Sequence, residues 1–215
     1  MEVVSVNTGR PRGVPYRGET VQTGIFKEAV QRPVHVGARS IEGDVQVDLR
    51  YHGGIDKAVY GYPSEHYAHW ATVQGVDAFP WGQFGENLST RGLLESSVHI
   101  GDIYQIGAAH LQVTQPRVPC FKLGIKMGSA AFVKKFLDSQ FSGFYFRVVE
   151  EGAVQAGDTI ELLERDPRSM SLIDIHTLHF KDTKNRTGLE RAVAITGLSD
   201  VWREELQELL EKLKP

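Results

Sequence analysis

One cysteine, Cys120, stands in a chain of 215 residues. No disulfide can form within the chain, and neither a cysteine-rich zinc ribbon nor an iron–sulfur cluster can be held by it alone; the expected compartment is reducing. A large excess of charge is also missing: 24 Lys+Arg stand against 27 Asp+Glu, a net charge of -3. That balance argues against a protein whose main task is wrapping nucleic acid, while leaving room for a local basic patch. No apolar run approaches the roughly 18 residues of a membrane helix, and the opening MEVVSVNTGRPRGVPYRGE has no secretory pattern of basic, long-apolar and small residues. The chain is read as cytoplasmic. Neither G-x-x-x-x-G-K-[ST], G-x-G-x-x-G after a strand, nor G-x-S-x-G occurs. Nucleotide hydrolysis, dinucleotide binding and α/β-hydrolase chemistry therefore lack their usual markers.

What is present is a succession of short, β-branched, glycine-punctuated segments. Val3–Val6, Val34–Val36, Val45–Leu49, Asp102–Ile106 and His110–Thr114 alternate every second residue, the signature of half-buried strands. The 22 glycines fall mostly between such runs, where turns and bulges use them. Many short strands with irregular turns suggest a barrel or a compact sandwich. Two helical stretches interrupt them: one starts at Pro63 and runs toward Gln74, and one runs from Pro119 to Ser139 with a break near Gly128. Strands resume at Gly143–Val149 and Gly157–Leu163.

Composition changes at Glu164-Arg165-Asp166-Pro167-Arg168-Ser169, which reads as a linker. Beyond it the period becomes helical. Ser171 with Asp174 resembles a capping box, Gly188 to Ile195 forms a second helix, and Ser199 caps a third with Trp202, Leu206, Leu209 and Leu213 on one face. The expected organisation is a β body over residues 1–166 and a three-helix bundle over 167–215.

Cys120 lies in Gln115-Pro116-Arg117-Val118-Pro119-Cys120-Phe121-Lys122-Leu123. Residues before proline are pushed to extended geometry, so the strand stops near Gln115 and a helix starts at Pro119, with Cys120 in its first turn. Unpaired amides there, with Arg117 and Lys122 nearby, favour a reactive thiolate; a buried, inert thiol is the competing reading. His52-Gly53-Gly54-Ile55-Asp56-Lys57 brings two glycines and a lysine together, a loop for an anion or simply a tight turn. Phe84-Gly85-Glu86-Asn87-Leu88 can aim Glu86 or Asn87 into a pocket, or serve as a strand and turn. His66 and His69, three apart on a helix, suit a metal no better than a solvated face.

Taken together, His52-Gly53-Gly54 with Asp56-Lys57-Ala58-Val59, Tyr62-Pro63 with Glu65-His66-Tyr67, Phe84-Gly85-Glu86-Asn87-Leu88, Gly101-Asp102, and Gln115-Pro116-Arg117 with Pro119-Cys120 and Lys122-Leu123 resemble the MOSC-domain family, in particular its YiiM-like group. The resemblance covers residues 40–165 most strongly. It implies a mainly β (α+β) fold, a MOSC-type β-barrel with flanking helices and a C-terminal three-helix bundle. It also implies molybdenum cofactor (molybdopterin) binding and an oxidoreductase that removes oxygen from N-hydroxylated compounds such as 6-hydroxylaminopurine, detoxifying base analogues. On that resemblance Cys120 supplies a thiolate to the metal, a soft ligand beside the dithiolene sulfurs. Gly53, Gly54, Lys57, Gln115, Arg117 and Lys122 hold the cofactor, His52 is a candidate proton donor, and Asn87 orients the substrate. No flavin or nicotinamide motif is present, so electrons are expected from a separate reductase of flavoprotein type; neither a nucleic-acid polymer nor a membrane is an expected partner. Two other readings remain open at this point: a cofactor-free thiol or sulfur carrier using Cys120, and a non-catalytic molybdopterin-binding carrier.

Overall fold

The computed structural model describes residues 1–47 and 53–213. The chain opens with β1 (Glu2–Thr8), a hairpin of β2 (Arg12–Tyr16) and β3 (Glu19–Thr23), then β4 (Glu28–Val30), β5 (Val34–Gly37) and β6 (Ser40–Ile41). Next come β7 (Val59–Pro63), α1 (Tyr67–Gln74), β8 (Leu88–Arg91), β9 (Ile103–Ile106), β10 (Ala109–Pro116), α2 (Phe121–Lys126) and α3 (Ala130–Ser139). The last strands are β11 (Phe144–Glu150), β12 (Gly152–Val154) and β13 (Ile160–Glu164), followed by α4 (Leu172–Phe180), α5 (Arg186–Val193) and α6 (Asp200–Glu211).

Eight strands form one sheet in the order β13-β9-β10-β11-β7-β8-β1-β4. Every pair in it is antiparallel except β7 with β8. Parallel neighbours cannot be joined by a tight turn, and the crossover here carries α1 and the loop through Asn87. The sheet curls until β1 meets the chain entering β13: Glu2 bridges Thr159, Val3 N donates to Asp158 O at 2.9 Å, and Ile160 N to Met1 O at 2.9 Å. The expected barrel is thus incompletely closed, joined by one bridge and a few backbone hydrogen bonds where a continuous ladder would be.

Apolar residues of the strands, among them Val6, Val59, Leu88, Leu111 and Phe146, share one core with Leu172, Ile175, Leu189, Trp202 and Leu206 of the C-terminal helices. The caps read from the sequence form: Ser171 Oγ accepts from Asp174 N at 3.1 Å and Ser199 Oγ from Trp202 N at 3.4 Å. A second cluster of Tyr62 from β7 with Tyr67, Trp70, Phe84, Leu123, Phe132 and Phe136 packs α1, α2 and α3 against that strand.

One strand expectation needs correction, and one hairpin was not anticipated. Val45–Val47 is not a strand: the chain turns at Gly43, whose φ is 83°, and Asp44 is drawn inward by side-chain bonds to distant segments. The rest of that expected strand, through Leu49, lies outside the described residues. Conversely, Arg12–Thr23, with Pro15 and two glycines, forms a two-stranded hairpin that pairs with no other described strand.

Candidate functional site

The stretch after β10 behaves as its prolines require. The strand ends at Pro116, Arg117 N–H donates to Gly143 O at 3.0 Å, and Cys120 has extended backbone (φ −118°, ψ 174°) as the residue that caps α2. Leu123 N donates to Cys120 O at 2.9 Å, which begins the helix. The thiol is half-buried and faces a cleft of about 670 Å³, part of it open to solvent.

Three other segments close that cleft. Thr23, Gly24, Ile25 and Lys27 come from the base of the β2–β3 hairpin, Asp44 to Val47 from the loop after β6, and Lys57 and Tyr60 from the approach to β7 and from β7 itself. Asn87, Arg117, Val118, Lys122 and Tyr145 complete the wall. Among the described lining residues four cationic side chains, Lys27, Lys57, Arg117 and Lys122, face one carboxylate, Asp44. A concave, low-dielectric wall of one sign concentrates anions.

Arg117 is buried. Its Nη1 donates to the Tyr60 hydroxyl and to Phe84 O, both at 2.7 Å, and its guanidinium sits 4.5 Å from the Tyr60 ring centroid. The Tyr60 hydroxyl in turn donates to Ser142 O at 2.7 Å. Burial pushes the Tyr60 phenol well above its ordinary range and raises that of Tyr145, so both are neutral near pH 7. Burial pulls the Lys57 ammonium below the usual lysine range, with Glu205 and Asp56 opposing.

The Phe84–Leu88 motif divides its labour. Glu86 is fully buried and accepts from Gly82 N at 2.9 Å, Phe84 N at 3.0 Å, Ser89 Oγ at 2.8 Å and the Tyr67 hydroxyl. It braces the loop from behind and does not line the cleft. Asn87 does line it, yet its amide is engaged: Oδ1 accepts from Tyr60 N at 3.1 Å, and Nδ2 donates to Asp44 Oδ2 at 2.9 Å and to Asn7 O at 3.4 Å.

Of the residues singled out from the sequence, Cys120, Lys57, Arg117, Lys122 and Asn87 come together on this cleft. Gly53 and Gly54 stand just before the turn Ile55–Lys57, where Gly54 takes φ 102°, open only to glycine; neither lines the cleft. Gln115 is buried and does not line the cleft; its Oε1 has no hydrogen-bond partner among the described residues. His52 lies outside the described residues. His66 is held by Glu95 at 2.7 Å. Lys27, Asp44 and Gln46 were not apparent from the sequence: no motif surrounds them, and only the fold brings them to Cys120.

Residues 48–161 match the MOSC domain model and residues 170–213 the model of the YiiM-like, 3-alpha helix domain. The chain is 40% identical to YflK of Bacillus subtilis (strain 168), over 99% of this chain and 96% of that protein. A protein called Reductase from Gibberella moniliformis (strain M3125 / FGSC 7600) is 33% identical over 80% of this chain, which spans 31% of that protein. The crystal structure of YiiM from Geobacillus stearothermophilus superposes with a TM-score of 0.83 at 36% identity, covering 97% of this chain and 98% of that one. With the fold, the motif positions and these similarities in agreement, the chain belongs to the MOSC family, in its YiiM-like branch.

Proposed function

We propose that the cleft binds the molybdenum cofactor and that the protein reduces N-hydroxylated compounds, 6-hydroxylaminopurine among them, to the corresponding amines. The observation that carries this reading is a half-buried thiol sharing one cleft with Lys57, Arg117 and Lys122. The donor set fits the group. Cys120 offers a soft sulfur to the metal, and the cations answer the phosphate of the pterin. Arg117 is bonded within the described residues only through Nη1, which leaves its Nε and Nη2 for an anion. The name of the Gibberella relative supports a reductase.

When bound, the cofactor supplies two-electron reduction of the N–O bond; the chain supplies place and field. Arg117, tied to Tyr60 and Phe84, presents its charge in a fixed direction and loses no orientation on binding. Neutral Tyr60 and Tyr145 give the wall low polarity, which strengthens each charge contact in it. Electrons come from a separate reductase of flavoprotein type.

Protein expressed where the cofactor is made should carry molybdenum and pterin, and should reduce hydroxylaminopurine with a chemical reductant. Metal-free protein purified under those conditions would overturn the cofactor reading. Loaded protein without turnover would leave a carrier in its place.

A further inference from the structure

The cleft holds an ion pair that the proposed function has not used. Lys27 and Asp44 line the same cleft as Cys120, and their side chains are 9% and 4% exposed. Asp44 is gripped from three sides. Gly9 N donates to Oδ1 at 2.9 Å, Asn87 Nδ2 donates to Oδ2 at 2.9 Å, and Lys27 Nζ donates to Oδ2. The carboxylate therefore cannot swing, and it fixes the ammonium at the cleft wall. Buried ion pairs stabilise a fold less than apolar packing of the same volume, so a rigid one on the same cleft as Cys120 calls for a chemical use.

Reductive dehydroxylation consumes two protons along with two electrons: R–NH–OH + 2 e⁻ + 2 H⁺ gives R–NH₂ + H₂O. The N–O bond breaks and its oxygen must be protonated as it leaves, because hydroxide is a poor leaving group. We propose that Lys27, oriented by Asp44, delivers that proton to the departing oxygen. This inference rests on the function proposed above. One proton passes from Nζ to the oxygen, which leaves as water, and the second reaches nitrogen from solvent. The electrons come from the flavoprotein-type donor or, in the assay, from a chemical reductant, and Nζ is reprotonated through the open side of the cleft.

Two features single out Lys27 from the other cleft cations. Its paired carboxylate, Asp44, itself lines the cleft. Lys27 is also the most deeply desolvated of the lysines there: burial pulls its pKa below the ordinary lysine range, while Asp44 opposes. The charged groups that act on it are Asp44 and Glu86, which hold the proton on, and Arg117 and Lys126, which push it off. A donor acts best when its pKa approaches the working pH, and burial moves Lys27 that way.

Three variants and a titration test it: Lys27→Arg, which keeps the charge but cannot release a proton near neutral pH, Lys27→Gln and Asp44→Asn. Molybdenum and pterin content and the melting temperature are measured beside kcat and KM. Lys27→Arg should retain cofactor and fold while kcat falls by about a hundredfold or more, the weight of a positioned general acid, with KM little changed. Lys27→Gln should lose the alkaline limb of the pH–rate profile and regain activity with added methylammonium. In protein without cofactor, ¹⁵N NMR of the lysine Nζ groups should show Lys27 titrating below the usual lysine range, and lower still in Asp44→Asn. Lys27→Arg with wild-type kcat, a loss of activity that only tracks lost molybdenum, or an ordinary titration of Lys27 would each overturn the inference and leave the proposed function standing. Loaded wild-type protein that reduces no N-hydroxylated compound would overturn the function itself and this inference with it.

Discussion

Arg117 Nη1 stands 2.7 Å from the Tyr60 hydroxyl, and the guanidinium lies over the same ring, 4.5 Å from its centroid. This contact joins the chain that leads to Cys120 with β7, which reaches β10 only through β11 in the sheet. A charge that the proposed function assigns to a ligand is thereby also a rivet of the fold, and the two uses predict different losses.

Replacing Arg117 with Met should leave Phe84 O and one lone pair of Tyr60 unpaired in a buried setting. The expected destabilisation is about 2 to 3 kcal/mol, seen as a lower melting temperature, together with loss of cofactor. Lys122→Met removes a cleft cation that makes no such internal bond among the described residues. It should weaken cofactor retention roughly tenfold, about one charge-assisted hydrogen bond, with melting almost unchanged. Equal melting losses in the two variants would contradict this division of roles.

Cys120→Ser should abolish reduction of an N-hydroxylated base while changing stability by on the order of 1 kcal/mol or less, because the hydroxyl is nearly isosteric. Its oxygen is a harder ligand that does not ionise near neutral pH. Activity assays on protein of known molybdenum content, with parallel melts, check this. Wild-type turnover at wild-type metal content would remove Cys120 from the mechanism.

Glu86 accepts from four donors while fully buried. Glu86→Gln puts an NH₂ group where an acceptor is required, setting donor against donor. The expected cost is about 2 kcal/mol or more, and chemical denaturation should show it. An unchanged midpoint would mean that the loop from Gly82 to Ser89 is held by other contacts.

Burial lowers the pKa of His176 to about 4, with Lys181 and His179 adding to the effect. A base whose folded pKa lies below its ordinary 6.5 binds a proton more readily when unfolded. Its contribution is fully present above 6.5 and is lost as pH falls toward 4. Between those values stability should drop by on the order of 2 kcal/mol on its account, and His176→Gln should flatten that part of the profile. Melting curves across the range decide it, and parallel slopes in the two proteins would assign the acid sensitivity elsewhere.

Much of this was legible in the amino-acid order because it is governed by neighbours. The serines at 171 and 199 cap helices through a bond to a residue three positions on, the prolines at 116 and 119 end a strand and precede a helix, and Cys120 with Arg117 and Lys122 sits within one short run. Local sterics and hydrogen bonding act over a few residues, and sequence displays them directly. The other half of the cleft obeys no such rule. Asp44 meets Lys27, Gly9 and Asn87 across 17, 35 and 43 residues, and its bonds overrode the alternation that made Val45–Val47 look like a strand. Incomplete closure of the sheet likewise depends on how far eight strands twist before β1 reaches the approach to β13. Which distant groups become neighbours is settled by twist, chain crossings and the burial of a shared core, and these come into being only when the whole chain has folded.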